Sequence, residues 1–236
     1  MQAKTQTCRW HSYANPDELS QDAARRILRS ASEAIGSKGR FSIVLAGGGT
    51  PRQVYQLLRA ADTLAGTRTD WPRWQVYFGD ERCLPPDHPD RNSRMAEDAW
   101  LDHVAIPTAQ IHPIPAELGA QRGAEAYAEI IEGMADEDFD LVLLGLGEDG
   151  HTASLFPGHD WGADPGAPPV LAVQDAPKPP PQRVSLGAAR LSRARVVLFL
   201  VSGAGKQQAL ADWQADRNIP ARAIAPLGGV DVLVAP

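Results

Sequence analysis

Asp149-Gly150-His151 sets a carboxylate two residues from an imidazole inside a glycine-rich stretch. Histidine is the side chain whose ordinary pKa suits proton transfer near neutrality, and a nearby acid can orient the ring or hold its charged form. Asp149 and His151 are therefore the candidate catalytic pair; the competing reading is a structural histidine in a turn. The pair ends the run Gly145-Leu146-Gly147-Glu148-Asp149-Gly150, which has the G-x-G-x-x-G spacing of a dinucleotide fingerprint. That fingerprint needs glycines that open a full helix, and an acid closing a second strand about 20 residues on. Pro157 interrupts the chain too early and no such acid follows, so the dinucleotide reading is rejected.

Three further clusters suit an anion. Gly47-Gly48-Gly49-Thr50-Pro51 offers unobstructed backbone amides, a hydroxyl and the positive end of a following helix. Alone, it serves equally well as a tight strand-to-helix turn. Gly79-Asp80-Glu81-Arg82 carries a guanidinium fork that fits pairs of phosphate oxygens, unless Asp80 and Glu81 neutralise Arg82 as a local ion pair. Gly203-Ala204-Gly205-Lys206 ends in a cation at a helix start, but lacks the hydroxyl residue and earlier glycine of a P-loop. The set persuades where single members do not.

Other chemistries find less support. Ser154 lies in no G-x-S-x-G elbow, and Cys83, although beside Arg82, reads as a small half-buried thiol. His88, His103, His112 and His159 show no paired ligand spacing, so no metal site is expected.

These clusters need a scaffold that delivers them to one place. Asn15 before Pro16 signals a helix start, and Leu19, Ala23, Ile27, Ala31 and Ile35 repeat at helical spacing until Gly36 offers a left-handed stop. Strands are expected at Phe41 to Leu45, Gln75 to Phe78, Phe139 to Leu144, Arg183 to Leu186, Arg195 to Val201 and Val230 to Val234. Helices are expected from the glycine loop through Leu58, and at Ser93 to His103, Ala124 to Met134 and Lys206 to Gln214. Nearly all-apolar strands separated by helices describe an α/β fold with a parallel sheet. In such sheets ligands bind beyond the carboxyl ends of the strands, where all four clusters fall. Asp175 to Pro181 reads as an extended surface loop rather than a linker.

The bulk properties agree. A chain of 236 residues, 43% hydrophobic and 22% charged, is long enough for one large or two small folded domains. A net charge of −6 supplies no positive field for DNA or RNA. Cys8 and Cys83 make neither a disulfide framework nor a metal pair, so a reducing cytosol fits. Met1 to His11 hold no apolar run and no stretch nears the roughly 18 apolar residues of a membrane span, so neither a secretory signal nor a membrane segment is expected.

In order and spacing the four clusters resemble the 6-phosphogluconolactonase family, most specifically over Gly145 to Pro157. Related sugar-phosphate deaminases share the glycine loop and the Asp-Gly-His triplet but differ after the histidine, where Ser154-Leu155-Phe156-Pro157 favours the lactonase. Arg91-Asn92 departs from the Ser-Asn common in lactonases. The resemblance covers nearly the whole chain and implies one modified Rossmann-like, three-layer domain over residues 1–236. It implies a cytoplasmic enzyme that hydrolyses a phosphorylated sugar lactone, 6-phospho-D-glucono-1,5-lactone, without cofactor, nucleic acid, membrane or obligate protein partner. His151 is then the general base and acid, Asp149 orients it, and Gly48, Gly49, Thr50, Arg82 and Lys206 bind the substrate phosphate. An amino-sugar phosphate deaminase or isomerase is the rival enzyme class. A sugar-phosphate sensor ranks last, because no DNA-binding module fits before Phe41.

Overall fold

The computed structural model describes residues 6–62, 66, 68–134 and 137–236. Its strands are β1 (Cys8–Ser12), β2 (Phe41–Leu45), β3 (Trp74–Phe78), β4 (Asp80–Arg82), β5 (Ile111–His112), β6 (Phe139–Gly145), β7 (Val170–Val173), β8 (Arg183–Leu186), β9 (Ala194–Ser202) and β10 (Val230–Ala235). The α-helices are α1 (Pro16–Lys38), α2 (Gly49–Leu58), α3 (Asn92–Ala99), α4 (Ala120–Glu132), α5 (Ala188–Leu191) and α6 (Gln207–Gln214). Among the described residues, seven strands pair in parallel in the order β1-β10-β9-β6-β2-β3-β5. Helices α1 and α2 pack on this sheet, giving the expected α/β architecture. Every residue of β2 is buried, as are Phe139 to Leu144 of β6 and Val197 to Val201 of β9, which accounts for their apolar sequence, broken only by Ser42 and Asp140, which bond to each other.

Several expectations need correction. Residues 183–186 form a strand, but not in the parallel sheet: β4, β8 and β7 make a separate three-stranded antiparallel sheet. Helix α1 passes through Gly36 and stops at Gly39, whose φ of 78° supplies the left-handed cap and whose N–H donates to the Ile35 carbonyl at 2.9 Å. Its start is as read, with the Asn15 side chain accepting the Glu18 N–H at 2.9 Å. The expected helix at Ser93 to His103 breaks at Trp100 into α3 and a 3-10 turn over Leu101–His103. Helix α4 begins earlier than expected, after Gly119, at φ 87°. Lys206 ends a 3-10 turn, Ala204–Lys206, and caps α6 instead of lying inside it.

The amino-terminal edge of the sheet is held by charge. Asp140, almost fully buried, accepts hydrogen bonds from the Ser42 N–H at 2.8 Å and the Ser42 hydroxyl at 3.1 Å, with Lys38 Nζ at 3.0 Å. At the β1–β10 edge, Asp231 receives Arg9 at 2.6 Å and His11 at 2.7 Å across 222 and 220 residues of chain respectively.

Candidate active site

Strand β6 runs out at Gly145 into a turn in which the Gly147 N–H donates to the His151 carbonyl at 2.7 Å and the Gly150 N–H to the Gly147 carbonyl at 3.1 Å. Gly150 has φ +83°, a conformation other residues resist. The turn folds the imidazole back onto Gly147, where an added Cβ would stand 1.9 Å from Nδ1. On its other side the ring meets Phe156, centroid to centroid 4.8 Å. Nδ1 lies 2.5 Å from Asp149 Oδ1, which also accepts the His151 N–H at 3.2 Å. Because a carboxylate oxygen only accepts, Nδ1 carries the proton and the lone pair falls on Nε2. Nε2 has no hydrogen-bond partner among the described residues. Partial burial works against the Asp149 charge, but the hydrogen bonds from His151 outweigh it and hold the carboxyl below its ordinary range.

Gly147→Ala is expected to expel the imidazole from its seat and abolish most turnover while the fold survives. Retained turnover with an unmoved His151 ring in a crystal structure of the variant would refute that reading.

The glycine loop sits at the next strand end. Gly48, at φ 106°, caps α2, whose first turn has no acidic residue, so its free amides remain available to an anion. The Thr50 hydroxyl lies 2.7 Å from that of Ser202 at the end of β9, joining this loop to the one that carries Lys206. The 145–151 turn abuts the same loop, since a Cβ on Gly205 would lie 3.1 Å from Glu148 Oε1. Lys206 has no ion-pair partner among the described residues. Three of the four clusters thus meet through direct contacts.

Arg82 joins them by a different route. Neither acid beside it neutralises it. Asp80 instead accepts from Ser154 Oγ at 2.6 Å and Asn92 Nδ2 at 3.1 Å. Fully buried Glu81 caps α3 by accepting the N–H groups of Asn92 at 2.7 Å and Ser93 at 2.8 Å. Among the described residues the Arg82 guanidinium donates only to the Asp90 carbonyl, at 2.5 Å, and its buried Nε has no partner. No contact ties Arg82 to Lys206 or Thr50; it faces Arg183 of β8 as its antiparallel partner. Residues directly opposed in such a pair share a face, and like charges there repel.

Arg183 is a candidate site residue that sequence reading missed. Its guanidinium is buried, donates to the carbonyls of Pro180 at 3.1 Å and Lys178 at 2.9 Å, and lies 5.5 Å from the Phe156 centroid. Burial pulls its pKa down; nearby Asp80 opposes that and Arg82 adds to it. Arg82 and Arg183 oppose each other across β4 and β8, neither holds an ion pair among the described residues, and Arg183 is separated from His151 by the Phe156 ring. The signal available in the sequence was the extended run Lys178 to Pro181 just before Arg183, there read as a surface loop.

The departure at Arg91-Asn92 has a structural explanation. Asn92 keeps a role in the site, its Oδ1 filling the space where a Cβ on Gly47 would sit at 1.9 Å. Arg91 turns inward, donating to Ile114 at 2.7 Å and Glu117 at 2.9 Å. Cys83 is half-buried and burial pushes its thiol up to about 11, as expected of an unreactive cysteine. A cavity of about 280 Å³ behind Gly203 and one of about 430 Å³ beside Cys83 both miss His151, which lies on an open edge of the sheet. Among the described residues no three His, Cys, Asp or Glu side chains gather as metal ligands.

Fold and site together define an α/β protein that carries a hydrogen-bonded Asp149–His151 pair and a glycine loop at the carboxyl ends of parallel strands. The chain belongs to the family described as glucosamine-6-phosphate isomerases/6-phosphogluconolactonase, whose model matches residues 14–233. It is 40% identical over 230 residues to 6-phosphogluconolactonase of Synechocystis sp., covering 91% of this chain and 90% of that one. It is 34% identical to that of Mycobacterium tuberculosis, covering 95% and 87%. The solved structure of the Trypanosoma brucei 6-phosphogluconolactonase superposes with a TM-score of 0.81 at 30% identity, covering 98% of this chain and 97% of that one.

Proposed function

We propose that this chain is a hydrolase of 6-phospho-D-glucono-1,5-lactone, producing 6-phospho-D-gluconate as the second step of the oxidative pentose phosphate pathway. The observation that carries the mechanism is the His151 ring, fixed between Gly147 and Phe156 with Nδ1 on Asp149 and Nε2 unpartnered. Nε2 takes a proton from water as the water oxygen bonds to the lactone carbonyl carbon. The resulting imidazolium, steadied by Asp149, returns that proton to the ring oxygen as the carbon–oxygen bond breaks. The phosphate rests on Gly48, Gly49 and Thr50, with Lys206, Arg82 and now Arg183 supplying charge. Remote binding of this group converts the attack into a step within one complex. No cofactor enters this scheme. The same reading takes the enzyme to be a single cytoplasmic domain, a location that the free thiols of Cys8 and Cys83 support.

A coupled assay on freshly generated phosphogluconolactone, corrected for spontaneous hydrolysis, tests the proposal. Release of ammonia from an amino-sugar phosphate instead would establish the deaminase reading. Asp149→Asn is expected to leave KM near the wild-type value and lower kcat, because the amide neither stabilises the imidazolium nor enforces the tautomer. A change confined to KM would move Asp149 from chemistry to binding.

A further inference from the structure

Strands β2 and β3 both end where pairing with one neighbouring strand has stopped. The Leu45 carbonyl accepts the Gly79 N–H at 2.9 Å, on the side where β2 and β3 face each other. Backbone groups alternate sides along a strand, so those of Ala46 face β6 and those of Phe78 face β5. Strand β6 pairs with β2 only at Leu141 and Val142 before following β9 as far as Gly145. Strand β5 pairs with β3 only at Ile111 and His112, opposite Val76 and Tyr77. Both strand ends lie buried, where unpaired amides and carbonyls are costly.

Two phenols supply the hydrogen bonds that strand pairing no longer makes there. Tyr55 of α2 accepts the Ala46 N–H at 3.0 Å and donates to the Ala46 carbonyl at 2.8 Å. Tyr127 of α4 accepts the Phe78 N–H at 3.0 Å and donates to the Phe78 carbonyl at 3.1 Å. Both side chains are fully buried, and the Tyr55 ring stacks on Trp100 at 5.8 Å, within a cluster of Trp71, Trp74 and Trp100. Burial drives both phenol pKa values far above the ordinary range, which keeps each hydroxyl neutral and able to donate and accept together. The residues that follow are Gly47, which opens the glycine loop, and Gly79, which leads to Asp80 and Arg82.

We propose that Tyr55 and Tyr127 are positioning residues which, by closing the last backbone hydrogen bonds of β2 and β3, aim the glycine loop and β4 at the substrate phosphate. This rests on the phosphate-binding role given above to those loops. Removing a hydroxyl leaves an amide and a carbonyl unpaired, and the chain relieves that by shifting the loop that follows.

The test compares Tyr55→Phe and Tyr127→Phe with Ser42→Ala, which breaks a buried hydrogen bond at the opposite edge of the sheet. All three are expected to lose thermal stability. Below their Tm values, the two tyrosine variants should raise KM for the phosphorylated lactone by roughly 5- to 50-fold with kcat within about twofold. Hydrolysis of unphosphorylated gluconolactone should stay at the wild-type level, and Ser42→Ala should match wild type on both substrates. Inorganic phosphate, titrated while the amides of residues 47–50 are followed by NMR, should bind the tyrosine variants more weakly by a similar factor. Wild-type KM and phosphate affinity in both variants would make the phenols purely structural and end the proposal. A wild-type protein without lactone turnover would refute the substrate, not the positioning role, which the phosphate titration still decides: weakened binding in the variants sustains it, and unchanged or absent binding overturns it. If one variant does not fold, the other carries the comparison.

Discussion

His151→Ala is expected to lower kcat by roughly 100-fold or more while KM and Tm change little, because positioned acid–base assistance contributes that much to such a step. Among the described residues the imidazole hydrogen-bonds only to the partly exposed Asp149, so its removal strands no buried polar partner. Residual hydrolysis is also expected, since a lactone already reacts with water and the phosphate cradle still holds it in place. Single-turnover kinetics on fresh lactone provide the measurement. Wild-type kcat in this variant would remove proton transfer from His151 and reopen the assignment of the whole turn.

The second large effect concerns charge. Arg82→Ala and Lys206→Ala are each expected to cost about 1.5–3 kcal/mol, roughly 10- to 150-fold in kcat/KM, on the phosphorylated lactone and nothing on the unphosphorylated one. Arg183→Ala should fall in the same range, with an added stability loss because its stem is buried. If one phosphate is shared, the Arg82 and Lys206 double variant loses less than the sum of the single losses. The structure sharpens what the alternatives mean. The loop that carries Lys206 is joined to Thr50 by the Ser202 hydroxyl, whereas Arg82 lies opposite Arg183 on β8. Strict additivity would therefore assign the two cations to different ends of the ligand, and equal penalties on both lactones would move the phosphate elsewhere.

Much of this was legible in the chain. Strands buried on both faces, such as β2 and β9, announce themselves by composition, and the Asn15 cap by chemistry that acts within four residues. The glycine runs and the Asp149-His151 pair were legible because the seat for the ring is built from adjacent residues. What escaped depends on distant partners. Strand β1 alternates polar and apolar residues and gains its place only from β10. Gly36 and Gly39 offer equal local signals, and the hydrogen bond from Gly39 to Ile35 decides between them. Arg183 was missed because the register that sets it against Arg82 belongs to the packing of β4 on β8. For the same reason the acids beside Arg82 looked like its partners, although Asn92, Ser93 and Ser154 claim them in the folded chain.

The pairing of β1 with β10 also bears on how the protein comes into being. Cys8 lies beside Val230 and Ser12 beside Val234, so the first strand finds its neighbour only after more than 200 further residues have been made. Such distant pairing is slow, because a long loop must close before any contact repays its entropy. During synthesis the rest of the sheet can assemble while β1 waits, and β9 keeps one open edge until β10 arrives between them. An open apolar strand of that length is a ready template for another unfinished copy. Arg9, His11 and Asp231, converging across the completed edge, then latch β1 to β10.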